Sequence, residues 1–116
     1  MNQPALDLRA YQEMKEIMEE VLPELLTTFI EYMPEQLNDL NQAIDDNNPD
    51  LLFGIAHRMK SSCNSLGVLG LAKIAESIEM LGRAGNTGGA SEKSAELETQ
   101  LTEVIDFFKE ELRALG

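Results

Sequence analysis

Apolar residues recur at helical spacing along almost the whole chain, and this restricts what it can fold into more than any other feature. Leu22, Leu25, Leu26, Phe29, Met33, Leu37, Leu40 and Ile44 form one stripe; Leu97, Leu101, Val104, Ile105, Phe108, Leu112 and Leu115 form another. No alternating strand pattern competes with them. Breaks fall at Asn47-Asn48-Pro49, at Gly67 to Gly70 and at Gly85 to Ser91. The pattern predicts a short helix from Leu6 to Glu20 and longer helices over 22–46, 50–65, 69–84 and 91–114. Connections this short make consecutive helices antiparallel, and each stripe needs a shared core to bury it. The expected fold is all-α: an antiparallel four-helix bundle over about 22–114, with the first helix capping one end.

Two prolines bear on this reading. Pro23 fits the first turn of a helix, where a missing N–H does no harm. Pro34 lies inside the long stripe, which resumes in phase at Leu37 and Leu40, so one kinked helix explains it better than two. At 116 residues and 43% hydrophobic content, the chain is expected to form a single domain, residues 1–116, with one site.

Charge narrows the partners. With 9 basic and 21 acidic residues the net charge is −12, and no stretch gathers Lys and Arg into the stripe that binding nucleic-acid phosphates requires. The lone Cys63 has no intramolecular disulfide partner, and no leader or membrane-length apolar run is evident. The cytoplasm is the expected compartment, with no membrane partner. No GxxxxGK[ST], HExxH or CxxC spacing occurs, so neither ATP binding nor a dedicated metal site has sequence support. The acidic turn at Asp45, Asp46 and Asp50 reads as helix-end chemistry.

His57 is the chain's single histidine. At roughly 100° per residue, Leu52, Ile55, Met59 and Leu66 gather on one side of the third helix, and His57 falls on the other. Phe53, Gly54, Lys60, Ser61 and Asn64 share its side, so its neighbours are mostly small. Gly54 is costly in a helix interior, by about 1 kcal/mol against Ala, and its missing side chain would clear space beside the ring. Imidazoles titrate near ~6.5, so an accessible one is substantially neutral near neutral pH and offers a nucleophilic lone pair. Lys60, one turn later, stands where its ammonium could meet phosphoryl oxygens on that ring.

The run Ala56-His57-Arg58-Met59-Lys60-Ser61-Ser62-Cys63-Asn64-Ser65-Leu66-Gly67, followed by Leu71 and Ile78-Glu79, resembles the signature of histidine phosphotransfer domains. That signature is Ala-His, any residue, an apolar residue, Lys, a small residue, a variable stretch and apolar-Gly. The resemblance implies that His57 carries a phosphoryl group on the ring nitrogen farther from the backbone, that Lys60 stabilises it, and that Gly67 ends the helix. The last agrees with glycine's preference for left-handed helix termini. Ser61 departs from the pattern, standing where the family most often has glycine; its hydroxyl is a candidate hydrogen-bond donor to a phosphoryl oxygen.

What the resemblance further implies concerns partners. Response-regulator receiver domains and a hybrid sensor histidine kinase would exchange phosphoryl groups with this chain, the acid pocket and Mg²⁺ belonging to the receiver, so the chain needs no cofactor and no autokinase activity. The docking surface is expected around His57: Phe53, Val68 and Leu69 as apolar contacts, each of which could equally pack against the capping helix or the core, Gly54, Arg58, Ser61 and Asn64 in the same surface, and Arg83 as a cation, although Arg83 before Gly85 also reads as ordinary helix-end chemistry. A monomer is expected. Two other readings stay open: an acidic helical adaptor whose Met-rich helices bind a partner helix, and an enzyme using His57 as general base or metal ligand. The latter wants a second positioned group that the sequence does not supply.

Overall fold

The computed structural model describes residues 6–115, and among these all regular structure is helical. The helices are α1 (Leu8–Ile17), α2 (Leu22–Asp45), α3 (Pro49–Ser65), α4 (Leu69–Arg83) and α5 (Ala90–Leu115). Each of α2 to α5 packs on the next, and α5 closes back on α2. The result is the antiparallel four-helix bundle that the stripes require, with α1 added at one end.

Local chemistry sets the boundaries. Asp7 caps α1 by accepting a bond from the Ala10 amide at 3.0 Å, and Asn48 caps α3 by accepting from Leu51 at 3.1 Å. Pro23 and Pro49 occupy the first turns of α2 and α3. α1 is shorter than its sequence pattern suggested: the chain leaves the helix at Met18 and turns, Val21 donating to the Met18 carbonyl at 3.0 Å, before Pro23 opens α2. α2 runs through Pro34 as one helix, with Met33, Leu37 and Leu40 all buried.

The core is built from the stripes, with Leu25, Ile44, Ile105 and Leu112 at its edge and Leu115 exposed. Leu22, Leu26, Phe29, Met33 and Leu40 of α2 meet Leu52, Ile55 and Met59 of α3, Leu71 and Ile78 of α4, and Leu97, Leu101, Val104 and Phe108 of α5. Cys63 is buried with them, and burial pushes its thiol up to about 12. At the α1 end, Tyr11 packs on Phe107 and Phe108, while Phe29 meets Phe108 edge-on at 5.1 Å. The Tyr11 hydroxyl donates to Glu111 at 2.8 Å, and Lys15 reaches the same carboxylate at 3.2 Å. No helix among the described residues is long and apolar enough to cross a membrane.

The three-residue turn between α3 and α4 is tight enough to need glycine. Gly67 has φ +75°, a conformation L side chains rarely adopt. Its carbonyl also accepts the Asp7 amide at 3.1 Å, which ties the start of α1 to this turn.

Candidate functional site

α3 and α4 lie antiparallel and in close contact, and the site sits on their outer face. His57 Nδ1 is 2.5 Å from Oε2 of Glu79, and Lys60 Nζ is 2.5 Å from Oε1 of the same carboxylate. The two partners differ sharply in exposure: Glu79 is 7% exposed as a residue, while the His57 side chain is 54% exposed. Phe53, one turn before His57, stacks with its ring at 6.0 Å and 18° between planes, and Arg83 places its guanidinium 5.6 Å from the Phe53 centroid. Together with Glu76 and Met80 these side chains line an open pocket of about 290 Å³.

The carboxylate fixes the tautomer of the ring. Burial pushes the Glu79 carboxyl up, but hydrogen bonds and charge from Lys60 and His57 outweigh that and hold it below its ordinary range. An ionised carboxylate only accepts, so Nδ1 must carry the hydrogen, and in the neutral ring the lone pair then falls on Nε2. In the neutral ring the available nitrogen is therefore the one away from the buried acid. It can attack an electrophile, and the carboxylate can stabilise the positive charge that then develops on the ring, the logic of a carboxylate behind a catalytic histidine.

A pH dependence follows. Glu79 and Glu111 are both held below their ordinary value of 4.5, Glu111 chiefly by the Tyr11 hydroxyl bond. The unfolded chain then binds protons more readily than the folded one, so this stabilisation is complete above pH ~4.5 and lost as pH falls through the depressed folded values. Urea midpoints should fall as pH drops below about 4.5. Glu79→Gln should flatten part of that acid limb. The same substitution keeps an acceptor but removes the charge, so phosphoryl acceptance by the ring should slow by about 10–100-fold, the worth of a charge-assisted hydrogen bond.

The structure sorts the residues expected from sequence. His57 and Lys60 are brought together, though by Glu79 rather than by direct contact. Phe53 and Arg83 join the pocket. Arg58, Ser61 and Asn64 are exposed on α3, and Leu69 is half-buried at the start of α4. Val68 is 0% exposed and belongs to the core, the second of the two readings that its apolar character left open, so it is not a partner contact. It lies in the turn, where periodicity assigns no face. A Cβ on Gly54 would meet only the Arg58 guanidinium, at 3.9 Å, so packing does not demand glycine there. Glu79, Glu76 and Met80 received no role from sequence. The signal for Glu79 was present, since it lies four residues after Ala75 and one after Ile78, a charge set in an apolar stripe.

Among the described residues no three His, Cys, Asp or Glu side chains gather as metal ligands. The side chains of the acidic turn serve the helix end, Gln42 donating to Asp46 at 3.0 Å and the Thr87 hydroxyl bonding the Asn47 side chain.

Comparison with known proteins decides what kind of site this is. The profile of the Hpt domain matches residues 24–107, most of the chain. The chain belongs to the Hpt domain family. Its structure is similar to the crystal structure of histidine-containing phosphotransfer protein B (HptB) from Pseudomonas aeruginosa PAO1, with a TM-score of 0.90 and 28% identity, covering 97% of this chain and 98% of that one. No curated protein sequence matches. The role of this Hpt domain is histidine phosphotransfer within two-component signal transduction.

Proposed function

We propose that His57 is the residue of this Hpt domain that carries the phosphoryl group, receiving it from the phospho-aspartate of one receiver domain and giving it to the aspartate of another. The observation that carries this reading is the Glu79 carboxylate 2.5 Å from Nδ1, which leaves Nε2 as the nucleophile on a half-exposed ring. In the forward step the Nε2 lone pair forms the N–P bond as the P–O bond to the aspartyl carboxylate breaks. The ring keeps its Nδ1 hydrogen and gains positive charge, which Glu79 faces. Passing the group on reverses these changes.

Lys60 starts the cycle paired with Glu79. When three phosphoryl oxygens arrive on the neighbouring ring, its ammonium can turn toward them, so Lys60 serves as a cation shared between two anions. Arg83, held over Phe53, adds a second cation beside the same pocket. Charge distribution favours this face for an acidic partner: residues 49–83 hold Arg58, Lys60, Lys73 and Arg83 against Asp50, Glu76 and Glu79, close to neutral in a chain of net charge −12. Receiver domains bearing an acid pocket with Mg²⁺, including that of a hybrid sensor kinase, are the partners this reading implies. The chain acts as a carrier without autokinase activity, as a monomer in the cytoplasm.

The test is to incubate the protein with Mg²⁺ and a panel of phosphorylated receivers. A label that is acid-labile and alkali-stable, mapped by mass to the peptide holding His57, is the expected result. No transfer from receivers that exchange normally with another Hpt protein would overturn the proposal and favour the adaptor.

A further inference from the structure

At Gly82 the backbone of α4 lies directly against the backbone of α3. A Cβ there would stand 2.7 Å from both the Phe53 amide nitrogen and the Pro49 carbonyl oxygen, and 2.9 Å from the Phe53 Cα. These are backbone atoms four residues apart in one helix, so no side chain can swing away to relieve the contact. A Cβ on Gly54, in contrast, would make only an ordinary contact with the flexible Arg58 side chain. Gly82 lies one turn after Glu79 on the same face of α4, and Phe53 lies one turn before His57 on α3. This close backbone approach and the Glu79–His57 contact are therefore adjacent rungs between the same two helices.

We infer that Gly82 is a positioning residue for phosphotransfer: its bare Cα lets α4 lie on the α3 backbone and so delivers the buried Glu79 carboxylate to Nδ1 of His57. The inference rests on the reading of His57 as the phosphoryl carrier. Ordinary contact begins near 3.4 Å, so a methyl group at position 82 must move the helices apart by about 0.7 Å. Lys60 has a flexible stem and follows Glu79. The His57 ring, stacked on Phe53, moves with the very backbone that is pushed, so the Glu79–His57 bond is the one that lengthens.

The experiment compares Gly82→Ala with wild type, Glu79→Gln and Leu101→Ala, the last a core change on α5 away from the site. Nitrogen-15 spectra of His57 read the tautomer, circular dichroism reads the fold, and acceptance from a phosphorylated receiver reads the rate. Gly82→Ala should remain helical, show a mixture of tautomers like Glu79→Gln, and accept phosphoryl about 10-fold more slowly; Leu101→Ala should keep the wild-type tautomer. A folded Gly82→Ala with wild-type tautomer and rate overturns the inference. Should Gly82→Ala fail to fold, Glu79→Asp decides: with the helix spacing fixed, the shortened carboxylate loses Nδ1 and the tautomers mix, whereas a wild-type spectrum means the helices adjust and the inference falls. Wild-type label that persists in His57→Gln would instead bring down the site reading itself.

Discussion

His57→Gln should leave the protein folded and unable to accept a phosphoryl group, with label from phosphorylated receivers reduced by more than about 10³-fold, as removal of a catalytic nucleophile does. The glutamine amide is close in size to imidazole and can still donate to Glu79, but its nitrogen has no lone pair available for attack. The ring's exposure means that the substitution creates no cavity, so stability should stay within about 0.5 kcal/mol of wild type. Circular dichroism and a urea midpoint check that half of the expectation.

What makes the effect so large is the poverty of alternatives nearby. Lys60 is an ammonium paired with Glu79, and its nitrogen is not nucleophilic while protonated. The Cys63 thiol is buried and pushed up to about 12, so almost none is thiolate near neutral pH. The Ser61 hydroxyl lies one turn from His57 on α3, and an unactivated hydroxyl is a weak nucleophile. Acid-stable label on His57→Gln would point to Ser61 or another hydroxyl and would overturn the assignment of His57.

The difference between what could and could not be read from the sequence lies in what a helical stripe encodes. A stripe says which side of its own helix is buried, so the bundle, the outward face of His57 and the turn glycine Gly67 were all legible. It does not say how far one helix is shifted along the next. Glu79 matters only because the α3–α4 register sets it opposite His57, and Gly82 only because it meets the α3 backbone. Lys60 was placed correctly beside the site, yet its present partner is the acid that sequence left without a role. Val68 stayed open between surface and core for a related reason: in a turn between helices no period applies, and only the packed structure shows that its side chain is buried.

Gly67→Ala should be the most destabilising single methyl group that can be added to this chain's turns. Two costs add. A non-glycine residue at φ +75° loses about 1–2 kcal/mol in the left-handed region. The new Cβ would also stand 2.6 Å from the Tyr11 amide nitrogen and 2.9 Å from the Ala10 carbonyl carbon, backbone contacts that overpack α1 against the turn at a further cost of about 1–3 kcal/mol. Reduced freedom of the unfolded chain returns only about 0.4–1 kcal/mol. The net loss should be about 3 kcal/mol, or roughly 12 °C in Tm for a domain of this size. α1 gives way first, because its hold consists of the Asp7 amide on the Gly67 carbonyl, Tyr11 among Phe107 and Phe108, and the Tyr11 and Lys15 bonds to Glu111. Gly67→Asn separates the two costs: asparagine tolerates the left-handed region but still carries a Cβ, so it should recover only part of the loss. Because His57 lies ten residues up α3, about 15 Å away at 1.5 Å per residue, the phosphoryl acceptance rate measured well below Tm should match wild type. A Tm lowered by less than about 3 °C, less than one kcal/mol on this scale, would show that α1 can rise off the turn at little cost and that its docking contributes little to the fold.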